Sequence, residues 1–212
     1  MEASFWHDKW ARGEIGFHEG QANAHLVAHF ERLALPPGSR VFLPLCGKSR
    51  DLGWLLERGY RVVGIELSQV AISQLFEDLG LAPQVTTAGA LTHYAVEDLD
   101  IFVGDVFALT AEALRSVDAI YDRAALVALP PQTRPRYAAH LVEIASAAPQ
   151  LLVTFEYDQS RLDGPPFSVA GAEVEALYAQ AYRLEPLGRT AVKGGLKGKV
   201  EADDVVWQLV PR

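Results

Sequence analysis

The segment VFLPLCGKSRDLGWLLERGYRVVGIELS, residues 41–68, has the pattern of a strand, a turn, a helix and a second strand. The second strand ends in a carboxylate, Glu66, which follows Gly47 of the turn by 19 positions. In nucleotide-binding α/β units the ligand lies at the carboxyl end of the first strand, and an acidic residue roughly 20 positions further on holds the ribose hydroxyls. The spacing therefore predicts a nucleoside site with Glu66 on the ribose.

The turn of this segment is poor in glycine. It reads Pro-Leu-Cys-Gly-Lys-Ser-Arg over residues 44–50, with Gly47 alone where the dinucleotide fingerprint has a glycine triplet. A pyrophosphate needs close backbone approach at several points, so the turn argues against a nicotinamide dehydrogenase, the main enzymatic alternative on such a sheet. A nucleoside without phosphates fits better, and S-adenosylmethionine is such a ligand.

Composition limits the class of protein. The chain has 212 residues, half of them hydrophobic, so we expect one domain over residues 1–212. Within it, we expect residues 1–35 to form an N-terminal lid extension. Its net charge of −8 gives no basic surface for nucleic acid. With one cysteine, no signal-peptide pattern at the start and no apolar run of membrane-spanning length, the sequence predicts a cytoplasmic protein without a disulfide or a membrane partner.

Apolar runs of strand length alternate with helical patterns, which predicts the parallel βαβ units of an α/β fold. The predicted strands are residues 40–45, 61–66, 101–104, 119–122, 151–157, 184–191 and 204–210. The predicted helices are residues 51–58, 69–79, 134–147 and 172–181. The last two strands are joined without a helix, so we expect an antiparallel pair at the edge of a seven-stranded, mostly parallel sheet.

Polar side chains gather at the carboxyl ends of the predicted parallel strands, which is where open α/β sheets bind ligands. One polar residue there is unremarkable because strand ends leave the core. The same pattern at five strand ends favours a ligand site at this edge of the sheet. The residues are Leu45 of the turn, Glu66, Asp105 with Val106, Asp122 with Arg123, and Glu156 with Tyr157.

An extension that a minimal nucleotide fold does not require, SFWHDKWARGEIGFHEG, precedes the sheet. Trp6 and Trp10 are four positions apart, so a helix would put both indoles on one face. One interpretation is an N-terminal helix packed on the core. The other is an aromatic lid, with Phe17, that closes over a planar ligand or a sulfonium cation through stacking and cation–π attraction.

With these motifs in view, the chain resembles the bacterial thiopurine S-methyltransferase family. The resemblance runs from about residue 5 to the C-terminus, and its specific marks are FWHDKWARGEIGFH, LPLCGKSRDL, YDRAALVALP and EYDQSRLDGPPF. It implies a Rossmann-like methyltransferase fold with seven strands, the seventh antiparallel, helices on both faces, and a monomer. It also implies methyl transfer from S-adenosylmethionine, leaving S-adenosylhomocysteine, to the sulfur of aromatic or heterocyclic thiols such as thiopurines, and for bacterial relatives to selenium or tellurium compounds.

The resemblance also implies site residues. It places cofactor contacts at Trp10, Leu45, Glu66 and Arg123, and less specifically at Trp6, Phe17, Gly47, Asp105 and Val106. Arg123 is in addition the candidate catalytic residue, because an always-protonated guanidinium favours a thiolate acceptor; the alternative is a surface ion pair with Asp122. Since sulfonium and thiolate neutralise each other during transfer, positioning and desolvation should dominate, and no strong base is required.

Other interpretations stay open. His18 is either a proton relay or a structural histidine, and Cys46 is best explained as a small apolar filler. His25 and His29 are four apart, but Leu26 stands where a metalloprotease has glutamate, so we expect no metal. The segment DGPPF (163–167) is either a wall of an acceptor pocket or a proline-stiffened turn. The segment VKGGLKGKV (192–200) is either a mobile cover for the acceptor or a flexible hairpin. A non-catalytic S-adenosylmethionine-binding module, or a methyltransferase for another small acceptor, remains the alternative function.

Overall fold

The computed structural model describes residues 3–16 and 18–212. Its strands are β1 (Arg40–Pro44), β2 (Arg61–Glu66), β3 (Gln84–Ala88), β4 (Leu91–Val96), β5 (Leu99–Val103), β6 (Ala119–Arg123), β7 (Gln150–Tyr157), β8 (Tyr182–Ala191) and β9 (Ala202–Pro211). They form one nine-stranded sheet in the order β3-β4-β5-β2-β1-β6-β7-β9-β8. The five central strands, β5, β2, β1, β6 and β7, are parallel.

Seven α-helices are assigned in the described residues. They are α1 (Ala3–Ala11), α2 (Ala24–His29), α3 (Arg50–Leu56), α4 (Gln69–Leu79), α5 (Ala111–Leu114), α6 (Arg134–Ile144) and α7 (Gly171–Tyr178). Local chemistry explains several ends: the Asn23, Ser49 and Ser68 side chains accept from the first turns of α2, α3 and α4, and Gly80 ends α4 in the left-handed conformation. Among the residues that the structure describes, no helix is both long enough and apolar enough to cross a bilayer.

The helices cover both faces of the sheet, which confirms the predicted α/β architecture. Side chains alternate along β1: Phe42 packs with one buried cluster, and Val41 and Leu43 pack with the other. The first cluster includes residues of α6 and α7, and the second includes residues of α2, α3 and α4. Strands that are buried on both faces read as continuous apolar runs, which is why the sequence located them.

The C-terminal edge is also as predicted. β9 lies antiparallel between β7 and β8, and Leu184 of β8 pairs with Leu209 of β9. Because β8 and β9 are joined by a loop without a helix, they can pair directly as an antiparallel ribbon.

The predicted count of seven strands is wrong by two, because β3 and β4 were missed. They form a hairpin that pairs antiparallel to β5 at the other edge of the sheet. β3 is exposed along nearly its whole length and β4 buries only Leu91 and Tyr94, so neither has an apolar strand pattern. The predicted helix 134–147 is also too long, since α6 ends at Ile144 and Ser146 and Ala147 have positive φ.

Arg134 holds together three segments on one side of the sheet. Its side chain is 1% exposed, and its Nη1 atom lies 2.7 and 2.8 Å from the two carboxylate oxygens of Glu173 on α7. Its Nε atom donates to the Leu129 carbonyl at 2.9 Å, and Nη1 also reaches the carbonyl of Ser168, beside the DGPPF segment. A buried arginine with these partners fixes α6, α7 and that loop relative to one another.

We expect Arg134→Leu to lower the free energy of unfolding by about 3 kcal/mol, because it leaves Glu173 and two carbonyls without their buried donor. Urea unfolding followed by circular dichroism measures the change. The matched control is Arg136→Leu on the same helix, an exposed arginine whose Cζ lies 3.7 Å from the Phe107 ring centroid. Its expected loss is within about 1 kcal/mol. Equal losses in both variants would contradict the structural role of Arg134.

Candidate functional site

The turn after β1, residues 45–49, folds back toward the end of β2. Leu45 and Gly47 have positive φ values of 46° and 52°, and the Cys46 N–H donates to the Ile65 carbonyl at 3.0 Å. Leu45 is partly buried against the apolar cluster of the α6 face. The turn therefore stays close to the strand that carries the predicted ribose ligand.

The Glu66 carboxylate is hydrogen-bonded to that turn. The Gly47 N–H donates to Oε2 at 3.0 Å, and the Ser68 N–H donates to Oε1 at 2.9 Å. The side chain is 6% exposed, and burial raises the pKa of Glu66 although these N–H donors oppose the shift. A carboxylate has about four acceptor positions, so capacity remains for the two hydroxyls of a ribose. The residues of the 19-position spacing are thus in direct contact.

Trp10 of α1 covers the same turn. The indole is 4% exposed, and its Cζ2 and Cη2 atoms lie 3.1 and 3.5 Å from the position that a Cβ on Gly47 would occupy. A Cβ on residue 47 would force the indole to move by a few tenths of an ångström, and the positive φ of this residue is a second reason for glycine there. Trp6, on the same helix, is partly buried and meets the Phe5 ring edge-on at 5.2 Å between centroids. Phe17 lies outside the described residues.

The segment that follows α1 is joined to the sheet by polar contacts. Glu19 forms an ion pair with Arg123 at the end of β6, and it accepts from Asn23 Nδ2 at 3.3 and 3.2 Å. The Asn23 N–H donates at 2.7 Å to the carboxylate of Asp51, which is 1% exposed at the start of α3. The sequence did not single out Glu19, Asn23 or Asp51. An N-cap signal marks Asn23, but nothing local marks Glu19, whose partner is 104 positions away.

The end of β5 lies beside Glu66. Val103 pairs with Glu66 in the sheet, and the Gly104 N–H donates to the Glu66 carbonyl at 2.9 Å. The Asp105 side chain accepts a hydrogen bond from the Phe107 N–H at 3.0 Å, and Val106 is buried. The structure therefore brings Asp105 and Val106 to the same rim as Glu66, as the strand-end pattern predicted.

The two residues at the end of β6 point to different surroundings. Asp122 is fully buried, and it accepts from the Leu126 N–H at 3.1 Å and from the Tyr137 hydroxyl at 2.8 Å. The alternative of a surface ion pair between Asp122 and Arg123 is therefore wrong, since strand residues alternate between faces and Arg123 pairs with Glu19 instead. Burial raises the pKa of Asp122 to about 6 despite its two donors.

The predicted acceptor wall, DGPPF, and the predicted acceptor cover, the β8–β9 loop, contact each other. Lys197 of the β8–β9 loop donates to the Pro165 carbonyl at 2.6 Å, and the Tyr157 hydroxyl donates to the Pro166 carbonyl at 2.7 Å. Burial, followed by the charges of Lys9 on α1 and of Lys199, lowers the pKa of Lys197. Glu156 is occupied by Arg189 of β8 and by the Gly171 N–H at 3.0 Å.

Cys46, His18 and His25 are the remaining titratable candidates. Cys46 is buried in the apolar cluster of the α3 face, and burial and then the Glu66 charge raise its pKa well above the usual value, in agreement with a filler role. Burial, and then the charges of Lys48 and Arg50, lower the pKa of His18. Within residues 3–16 and 18–212, no group of three or more histidine, cysteine, aspartate or glutamate side chains is arranged to hold a metal ion. His25 lies instead 3.2 Å from Asp204.

Comparison with known proteins decides the family. The family model for thiopurine S-methyltransferase matches residues 1–206. The chain belongs to the thiopurine S-methyltransferase family. A thiopurine S-methyltransferase of Xanthobacter autotrophicus is 56% identical over 210 residues, which cover 99% of both chains, and one of Gluconobacter oxydans is 49% identical, covering 99% of this chain and 95% of the relative.

Solved structures support the fold of this family member. A 1,6-didemethyltoxoflavin-N1-methyltransferase of Burkholderia thailandensis, solved with S-adenosylhomocysteine, superposes with a TM-score of 0.67 at 16% identity, over 98% of this chain and 87% of that one. A TehB-like S-adenosylmethionine-dependent methyltransferase of Corynebacterium glutamicum gives 0.58 at 16% identity, over 99% and 98%. The protein is an S-adenosylmethionine-dependent methyltransferase with the Rossmann-like methyltransferase fold.

Gly47→Ala tests the contact between α1 and the 45–49 turn. The added Cβ would lie 3.1 Å from Trp10 Cζ2, so we expect the dissociation constant for S-adenosylhomocysteine to rise about tenfold or more. Titration calorimetry measures it. Gly59→Ala is the control: its φ of +76° imposes similar backbone strain, but nothing lies within 4 Å of the added Cβ. Equal affinities in wild type and Gly47→Ala would contradict this geometry.

Asp122→Asn tests the buried carboxyl of β6. The folded pKa of about 6 exceeds the usual 3.8, so the stability contributed by Asp122 is complete below the lower value and is lost as pH rises through the higher one. Between about pH 3 and about pH 7, the stability of wild type relative to Asp122→Asn should fall by about 3 kcal/mol. Urea unfolding across this range measures the difference, with exposed Asp98→Asn as control. Parallel pH profiles for wild type and Asp122→Asn would refute the assignment.

Proposed function

We propose that the protein transfers a methyl group from S-adenosylmethionine to the sulfur of aromatic or heterocyclic thiols such as thiopurines, and also to selenium or tellurium compounds. The observation that carries the proposal is the family match over residues 1–206. In the same proposal, residues 1–212 act as one domain and as a cytoplasmic monomer, with residues 1–35 as the lid and without nucleic acid or a membrane as partner.

The junction of β1, β2 and α1 suits the cofactor. Glu66 is a buried carboxylate with unused acceptor positions, which fits the donors of a ribose diol. Trp10 lies over the turn, where an indole can attract a sulfonium by cation–π interaction. Leu45 supplies an apolar wall, and Asp105 with Val106 lies at the neighbouring strand end, as an adenine would need. S-adenosylmethionine supplies an electrophilic methyl group when it is bound there.

Trp6, Phe17 and Arg123 complete the proposed cofactor contacts. Trp6 is on the same helix as Trp10, and Arg123 lies at the carboxyl end of β6, next to β1 in the sheet. The guanidinium is 15% exposed and always protonated, so it can orient a carboxylate or favour the thiolate form of an acceptor. For this reason Arg123 is also the proposed catalytic residue.

Positioning and exclusion of water do most of the work in this mechanism. The reacting charges cancel during transfer, so a low-dielectric site that holds sulfur in line with the methyl group is sufficient. The lid, the DGPPF segment and the β8–β9 loop are the parts of the chain that can shield the acceptor. Heterocyclic thiols are appreciably ionised near neutral pH, so no strong general base is needed.

The direct test is transfer of labelled methyl from S-adenosylmethionine to 6-mercaptopurine, with selenite and tellurite run in parallel. We expect label in S-methyl-mercaptopurine, and we expect Arg123→Ala to weaken S-adenosylhomocysteine binding or to shift the pH dependence of turnover. Unchanged affinity and pH dependence in Arg123→Ala would remove the role proposed for it. Cofactor binding without transfer to any of these acceptors would favour another acceptor or a non-catalytic binding module.

A further inference from the structure

The Glu19–Arg123 ion pair joins the lid to the rim of the sheet that carries the proposed acceptor site. The two residues are 104 positions apart in the sequence. The Arg123 side chain is 15% exposed and the Glu19 side chain is 42% exposed, so the arginine is the better shielded partner. The carboxylate beside a guanidinium in such a pair offsets part of the positive charge that a ligand experiences.

Glu19 is held in position from both directions. Asn23 Nδ2 lies 3.3 and 3.2 Å from its two carboxylate oxygens, and the Asn23 Oδ1 atom accepts from the His25 N–H at 3.0 Å. The Asn23 N–H is bonded to buried Asp51 at 2.7 Å. The carboxylate of Glu19 is therefore fixed relative to both α3 and β6, and its charge acts at a defined place.

We propose that Glu19 is a positioning and specificity-determining residue: it fixes the Arg123 guanidinium and offsets part of its charge, so that the acceptor site prefers aromatic thiols without a carboxylate to thiols that carry one. This inference rests on the proposed function, because it takes Arg123 to face the acceptor. It goes further in naming the charge of the preferred acceptor and the residue that sets it.

The test compares thiophenol with 4-mercaptobenzoate, which differ in one carboxylate. Glu19→Gln keeps an oxygen that accepts from Asn23 and Arg123 but removes the charge. The variant should lower KM for 4-mercaptobenzoate about tenfold relative to KM for thiophenol. Glu14→Gln is the matched control, since Glu14 also belongs to the lid but pairs with Lys9 at 2.5 Å rather than with Arg123.

Binding gives a second measurement that does not depend on turnover. With S-adenosylhomocysteine present, calorimetry compares thioanisole with 4-(methylthio)benzoate, and Glu19→Gln should tighten only the carboxylate-bearing ligand, by a similar factor. Thermal melting checks the fold, and Glu19→Ala replaces Glu19→Gln should the latter fail to fold. The same direction is expected for both variants.

An unchanged ratio between the charged and neutral ligands in the Glu19 variants, or a weaker carboxylate ligand, would overturn the inference. If the wild type binds S-adenosylhomocysteine but methylates neither thiol, the proposed function fails, and the two binding constants still decide whether Glu19 sets charge preference. If the wild type methylates the thiols but the ratio between the two ligands is unchanged in the Glu19 variants, the result contradicts only the inference about Glu19.

Discussion

The buried carboxylate of Glu66 is the constraint on which the site depends. It accepts from the backbone of the turn after β1, through Gly47 N, and from the start of the α4 segment, through Ser68 N. Burying a carboxylate is costly unless donors satisfy it, and here burial raises its pKa in spite of those donors. The two N–H groups offset part of that cost and hold the ends of β1 and β2 in one arrangement. A ligand with further donors would offset more of it.

The N-terminal segment that carries α1 depends on the same junction. Trp10 packs where Gly47 has no side chain, so the apolar contact of α1 is made directly on the turn that Glu66 fixes. Polar contacts then continue the attachment, from Asp51 through Asn23 to Glu19 and Arg123. Indole burial supplies apolar stabilisation, while the buried polar contacts specify how the segment lies across the strand ends. The N-terminal segment is consequently part of the geometry of the candidate site.

The sequence predicted the parts of the structure that have local or periodic signals. The parallel strands were found because they are buried on both faces, and the spacing of Gly47 and Glu66 indicated a site at the ends of β1 and β2, whereas the hydrogen bond between the two residues is seen only in the structure. β3 was missed because it is exposed at an edge and has no alternation. Arg123 was identified, but its partner was not: the Glu19 contact spans 104 positions, and no pattern in either segment refers to the other. Likewise, only the structure shows that Asp122 turns inward to Tyr137. The expectation about Phe17 stays a prediction.

A crystal structure of the protein with S-adenosylhomocysteine tests the central claim most directly. The account predicts electron density for the ribose with both hydroxyls within hydrogen-bond distance of Glu66, beneath the Trp10 indole, and with the adenine beside Val106. Density for the ligand elsewhere would contradict it. An alternative location for the ligand is the cavity of about 460 Å³ near the amino ends of β1 and β5, whose lining includes Arg40, His93 and Asp100.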